Sequence, residues 1–272
     1  MDIGRSLISE KFFFILAQKG GDILEKQPLL NTYVNNLTME EALGLILEEK
    51  ESQRYLVPVN VDMIMKIEKN EDLKQAINGA DYVVADGKPL IWISKYYGNP
   101  LKEKISGSDL IPVLLPRLEE NGSSIFVLGG AKQVNQDAVF NIKARYPNLK
   151  VWGYSPPFGF EKSEEGLVEV RKQIDAVSPD VLLVCFGCPK QELWIKDHLH
   201  ETSAGFAICG GGTVDFLAGK ISRCPKWMSN HGLEWFYRFL KEPRRLFKRY
   251  FIDDPQILPL IFKYKKRCKE KI

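Results

Sequence analysis

V-L-L-V-C-F at 181–186 runs directly into G-C-P-K-Q-E at 187–192. Six consecutive apolar residues with no polar alternation describe a strand covered on both faces, the condition of a parallel strand held between layers of helices. The glycine and proline that follow mark a turn, and Lys190-Gln191-Glu192 opens a helix. Working outward, the same unit recurs. Apolar or β-branched runs at Tyr55–Val59, Tyr82–Ala85, Ser124–Leu128, Leu149–Gly153 and Phe206–Cys209 predict further strands, with Val181–Phe186 among them. Helical spacing predicts helices at about 39–50, 62–78, 88–97, 109–121, 131–146, 165–177 and 190–201, the first opened by a capping box of Thr38 and Glu41. Alternation of this kind predicts an α/β fold: a Rossmann-like, largely parallel sheet covered by helices.

In such sheets ligands bind beyond the carboxyl ends of the strands. Those positions hold Asn60, Asp86-Gly87, Gly129-Gly130, Gly187 to Glu192, and Gly210-Gly211-Gly212-Thr213-Val214-Asp215. One glycine after a strand is ordinary turn geometry, but five such ends together point to a site.

Asp86 either caps the next helix or acts as a general base beside a substrate hydroxyl. Asn60 either caps the helix that follows it or orients the substrate or that carboxylate. Gly129-Gly130 permits close backbone approach to a pyrophosphate. It matches neither the G-x-G-x-x-G nor the P-loop pattern, which weighs against a standard dinucleotide fold and a P-loop NTPase. Gln191 and Glu192 open a helix whose amino terminus can hold an anion, and Asp215 divides between ligand recognition and capping. His198, His200 and His231 lack metal-ligand spacing, the single C-x-x-C pair Cys185/Cys188 has no second pair, and no D-x-D occurs. Neither a metal nor a cofactor is expected.

The 272 residues carry a net charge of +3, which conceals an uneven distribution. Residues 238–272 hold 12 Lys/Arg and 4 Asp/Glu, a balance of +8, whereas residues 1–237 balance at −5. A basic tail seeks phosphate. In Gly232 onward, G-L-E-W-F-Y-R-F-L-K-E-P-R-R-L-F-K-R-Y-F, large apolar residues interleave with cations at near-helical spacing, as in a helix lying in an anionic lipid surface. The other reading is a core helix with a solvated basic face; no nucleic-acid reading motif accompanies the charge. The expected organisation is a catalytic domain at 1–231, with 1–31 as an extension, and a helical, basic carboxyl-terminal appendage at 232–272. No apolar stretch reaches the length of a membrane span, no signal peptide is recognisable, and five cysteines suit a reducing compartment, so the expected address is the cytoplasm.

V-N-V-D at 59–62, A-D-G at 85–87, S-G-S-D-L at 106–110, F-V-L-G-G at 126–130, F-G-C-P-K-Q-E at 186–192, G-G-G-T-V-D-F-L-A-G at 210–219, R-C-P-K-W at 223–227 and G-L-E-W-F-Y-R-F-L-K-E-P-R-R at 232–245 stand in an order and spacing that resembles the WecG/TagA/CpsF family of bacterial glycosyltransferases (glycosyltransferase family 26). The resemblance spans about residues 32–251. It implies an inverting, metal-independent transfer of a sugar from a UDP-sugar donor to a lipid-diphosphate-linked acceptor at the inner face of the cell membrane, in synthesis of a cell-surface polymer. N-acetylmannosamine is the first choice of sugar because it is common in the family.

Position by position, the resemblance makes Asp86 the base and Asn60 its polar partner, and gives nucleotide-sugar contacts to Gly129, Gly130, Gln191 and Asp215. The acceptor diphosphate or membrane falls to the region of Arg238, Arg244 and Arg245. Two positions depart from the family pattern: Pro58 replaces a threonine, and Lys104 replaces an arginine, keeping the charge without the bidentate fork. The implied partners are the UDP-sugar, the lipid-linked acceptor and an anionic membrane surface, with no nucleic acid; homo-oligomerisation is left open. The rival expectations are a non-catalytic module that binds a nucleotide or lipid phosphate, and a Rossmann-type oxidoreductase, which the missing glycine fingerprint opposes.

Overall fold

The computed structural model describes residues 26–49, 52–222, 224, 225, 228 and 233–269. The chain opens with an antiparallel hairpin, β1 (Lys26–Leu29) and β2 (Thr32–Asn35). Then come α1 (Met39–Glu48), β3 (Tyr55–Val59), α2 (Val61–Ile67), α3 (Glu71–Asn78), β4 (Tyr82–Ala85), α4 (Lys88–Tyr97) and α5 (Gly107–Glu120). The second half continues with β5 (Ser124–Gly129), α6 (Lys132–Arg145), β6 (Lys150–Tyr154), α7 (Glu164–Asp175), β7 (Val181–Cys185), α8 (Lys190–His198), β8 (Phe206–Cys209) and α9 (Thr213–Leu217). The tail forms α10 (Glu234–Lys241), α11 (Pro243–Lys248), a π-helical turn at Arg249–Asp253, α12 (Ile257–Lys263) and α13 (Lys265–Lys269).

β3 to β8 form one parallel sheet in the order β4-β3-β8-β7-β5-β6. Side-chain alternation divides its core into two layers. Val57, Val59, Leu182 and Val184 face one layer with α2, α3, α4, α7 and α8, whereas Leu56, Val181, Leu183 and Ile208 face the other with α1, α5 and α6. Every residue of β3, β4, β7 and β8 is buried, as the uninterrupted apolar runs require. The α/β expectation holds, and the six expected strands appear within a residue or two of their sequence bounds.

Two local differences have clear causes. The single helix expected at 62–78 is two, because the Asn70 side chain accepts a hydrogen bond from the Leu73 backbone N–H at 2.9 Å and so starts α3 afresh. The hairpin at 26–35 is too short to show periodicity, yet it buries Leu29, Leu30 and Val34 in the first core layer. Residues 26–31, expected within an extension, therefore belong to the body; residues 1–25 lie outside the described residues.

The tail is also less separate than its composition suggests. Ile257, Leu260 and Cys268 are buried in the same core layer as Leu29 and Ile64. The Tyr97 hydroxyl donates to the Ile261 carbonyl at 2.9 Å, and Asn99 Nδ2 to the Cys268 carbonyl at 2.7 Å. Glu68 accepts from Lys263 Nζ at 2.9 Å and from the Tyr264 hydroxyl at 2.7 Å. Residues 257–269 thus pack as part of the body.

Candidate active site

β3 lies inside the sheet, yet its residue 58 is a proline, which has no N–H to donate. Its ladder to β8 accordingly stops at Leu56↔Ile208, while the pairing with β4 continues to Val59↔Ala85. Beyond that point the chain leaves β3 into α2 on one face of the sheet and leaves β8 into α9 on the other. Strands whose chains depart to opposite faces leave a crevice at their carboxyl ends. A cavity of about 770 Å³ opens there, lined from β3 and α2 by Pro58, Asn60, Asp62 and Lys66 and from β4 by Asp86. The start of α5 adds Gly107 and Ser108, the loop after β7 adds Gly187, Cys188 and Gln191, and the stretch after β8 adds Cys209 to Asp215. The tail contributes Lys241, Glu242, Leu246 and Arg249. The volume lies in the range of small-molecule sites.

Asp86 stands at the mouth of β4, its backbone N–H bonded to the Val59 carbonyl at 2.7 Å. Asn60 caps α2, accepting from the Met63 N–H at 3.2 Å, so its capping role is present. The same Oδ1 also lies 3.5 Å from Arg249 Nη2, which brings the tail into the site across 189 residues of sequence. Arg249 Nε is buried with no hydrogen-bond partner and sits 3.8 Å from Asp254 Oδ2. Burial pushes the Asp254 carboxyl up to about 6, against the opposing pull of Arg249.

Gln191 is buried between two loops. Its Oε1 accepts from the Gly187 N–H at 3.2 Å and the Gly211 N–H at 3.0 Å, and its Nε2 donates to Glu192 Oε1 at 2.7 Å. The side chain therefore ties the loop after β7 to the loop after β8, and both loops line the cavity. Glu192 is fully buried, and desolvation pushes its carboxyl above the usual carboxylate range. Asp215 lines the cavity with Lys220 Nζ 3.6 Å from its Oδ1. Lys66 bonds Asp62 Oδ2 at 2.8 Å and lies 3.4 Å from the Cys188 carbonyl.

Other sequence candidates are placed differently. Gly129 and Gly130 are not among the lining residues. The Gly130 N–H is bonded to the Cys185 carbonyl at 3.2 Å, and a Cβ on Gly129 would sit 2.8 Å from that same carbonyl oxygen. Both have positive φ, so the close strand packing and the turn account for these glycines, and the Gly130 amide is not turned to a phosphate here. Lys104 lies off the cavity wall with its Nζ 2.7 Å from Asp109 Oδ2; Asp109 also accepts from Ser106 Oγ. Arg244 is exposed on α11 and does not line the cavity. The side chains of Arg238 and Arg245 lie outside the described residues. Among the described residues no cluster of three His, Cys, Asp or Glu side chains is arranged to hold a metal.

Comparison with known proteins identifies the kind of chemistry this cavity serves. The family model described as the Glycosyl transferase WecG/TagA/CpsF family matches residues 27–271. The chain belongs to that family. This glycosyltransferase is 29% identical over 212 residues to the N-acetylglucosaminyldiphosphoundecaprenol N-acetyl-beta-D-mannosaminyltransferase of Bacillus spizizenii, covering 78% of this chain and 80% of that protein. It is 31% identical over 187 residues to the protein of the same name from Bacillus subtilis, covering 69% and 71% respectively. The match extends the resemblance, first bounded at about 32–251, to nearly the whole tail, in accord with the packing of residues 257–269.

Three contributors to the glycosyltransferase cavity escaped the sequence reading: Arg249, Lys66 and the Gly107-Ser108 helix start. Lys66 had a signal, standing on the helix that follows Asn60 one turn beyond Asp62. The helix start had one in the Ser106 cap, whose Oγ accepts from the Asp109 N–H at 3.2 Å. Arg249 had none that separated it from the other cations of its run.

Proposed function

We propose that this glycosyltransferase moves N-acetylmannosamine from a UDP donor to the sugar of a polyprenyl-diphosphate-linked acceptor, with inversion and without a metal. The observation that carries the reading is the meeting of one carboxylate, Asp86, with cationic groups from three parts of the chain in a single cavity: Lys66, Lys220, and Lys241 with Arg249. The names of the two Bacillus relatives support the choice of sugar and of an N-acetylglucosaminyl-diphosphate-polyprenol acceptor.

In this mechanism Asp86 takes the proton of the acceptor hydroxyl as its oxygen attacks the anomeric carbon of the donor. The bond from that carbon to the UDP oxygen breaks, and UDP leaves with the electron pair. The cationic groups and the N–H groups at the start of α5 meet the charge on the diphosphate. Asn60 holds Arg249 toward that charge, Gln191 fixes the two loops that form the cavity floor, and Asp215 contacts the nucleotide sugar. Among the described residues no helix is long and apolar enough to cross a membrane. The enzyme reaches its lipid-linked substrate as a peripheral protein on the inner face of the cell membrane, through the exposed aromatic residues of its tail. Trp235, Phe236, Phe247 and Phe251 are all exposed, with cations between them.

Release of UDP from UDP-N-acetylmannosamine, measured with and without a short-chain acceptor, tests the reading. Acceptor-dependent release is expected, and Asp86→Asn is expected to lower turnover by about 10²-fold or more while UDP still raises the melting temperature. UDP binding without acceptor-dependent release would instead fit a binding module, and undiminished turnover in Asp86→Asn would remove this residue as the base.

A further inference from the structure

The exposed apolar surface does not end with the tail. α4, which starts immediately after Asp86-Gly87, turns Leu90, Ile91 and Ile93 into the core, yet leaves Trp92 56% and Tyr96 48% exposed, four residues apart on one face. α12 repeats the pattern: Ile257 and Leu260 are buried while Leu258 is 59% and Phe262 68% exposed. The two helices are joined, since Lys265 Nζ lies 5.2 Å over the Tyr96 ring and the Tyr97 hydroxyl bonds the Ile261 carbonyl.

The charge around these side chains has one sign. Residues 88–97 contain two lysines and no carboxylate; residues 257–269 contain five Lys/Arg and no carboxylate. Large apolar side chains, two of them Trp and Tyr, ringed only by cations, complement a surface that is apolar below and anionic above. A second copy of the chain fits poorly, because an isologous contact would set these cations against their own images.

We propose that Trp92 and Tyr96 of α4, with Leu258 and Phe262 of α12, form a second membrane-contact face, on the catalytic body itself and beside the tail aromatics. This rests on the peripheral-membrane reading above and assigns the contact to particular residues. The placement has a chemical consequence. Trp92 and Tyr96 lie six and ten residues beyond Asp86, about 9 and 15 Å along the helix at 1.5 Å per residue. With α4 lying along the bilayer, its Asp86 end stays at headgroup height, where the diphosphate of a lipid-linked acceptor sits. The face therefore sets the orientation of the cavity mouth, which a tail anchor alone would leave free to tumble.

The test is sedimentation of the full-length protein with vesicles of phosphatidylcholine and phosphatidylglycerol, comparing the parent with Trp92→Ser/Tyr96→Ser, Leu258→Ser/Phe262→Ser and a tail control, Phe247→Ser/Phe251→Ser. Each of the first two pairs is expected to weaken binding by about tenfold or more, since each removes two partly exposed large side chains from the contact. Their melting temperature and turnover on a water-soluble acceptor without vesicles should match the parent. Parental vesicle affinity in Trp92→Ser/Tyr96→Ser, with the tail control weakened, overturns the second face and leaves the peripheral reading standing. No vesicle binding by the parent overturns both. A change of oligomeric state in the α4 variant with vesicle affinity retained also overturns the proposal and makes this face a self-association surface.

Discussion

Replacing Gln191 by alanine separates two roles that the sequence leaves entangled, direct contact with the nucleotide and bracing of the loops around it. The substitution removes three hydrogen bonds, those from the Gly187 and Gly211 N–H groups and the one to Glu192. The two glycines line the cavity, so water can replace their lost acceptor and each bond is worth only about 0.5 kcal/mol net. Glu192 is fully buried, no water reaches it, and losing its donor costs about 1–2 kcal/mol. The total of about 2–3 kcal/mol corresponds to a fall in melting temperature of about 5–10 °C for a chain of this size. Differential scanning fluorimetry with and without UDP is the assay. A brace predicts a lower melting temperature in the free protein and a reduced UDP-induced shift. A purely nucleotide-contacting side chain predicts the second effect alone. A free-protein melting temperature within about 1 °C of the parent would refute the bracing argument.

Arg249→Ala should cost about 10²-fold in turnover, the usual loss when one donor to developing charge is removed, and Arg249→Lys should recover only part of it because the Nη2 contact to Asn60 is gone; steady-state kinetics on the two variants decide this. Asp254 should appear in a carboxyl titration near pH 6, and Arg249→Ala should move it higher still by removing an opposing charge. Because the folded protein keeps this proton after the unfolded chain has released it, the contribution of Asp254 to stability should be greatest below about pH 4 and decline as the pH rises to about 6, and denaturant midpoints for Asp254→Asn should lack that decline. EDTA should leave turnover intact, and activity that disappears with chelation and returns with magnesium would expose a metal requirement.

Local pattern determined a great deal about this protein. A run such as Val181–Cys185, apolar at every position, can be satisfied only with cover on both faces, so it declares a parallel strand without reference to the rest of the chain. Once the strands are known, the residues at their carboxyl ends are known too, and Asn60, Asp86, Gln191 and Asp215 all line the cavity for that reason. Local pattern also explains the misplacements. Gly129-Gly130 follows a strand as a phosphate loop does, but its geometry is spent on packing against Cys185, a contact between strands that are neighbours only in space. The hairpin at 26–35, four residues to a strand, is shorter than any period can reveal and is held by the core it joins. Composition marked the tail as basic and amphipathic, yet it could not say which arginine enters the site. Arg249 reaches Asn60 because Leu246, Ile257 and Leu260 bury and fix the path of the chain between them, and such a path follows from contacts nearly two hundred residues apart in sequence. Apolar periodicity is a property of neighbouring residues and can be read from them; the meeting of a particular cation with a particular amide depends on the packing of the whole chain.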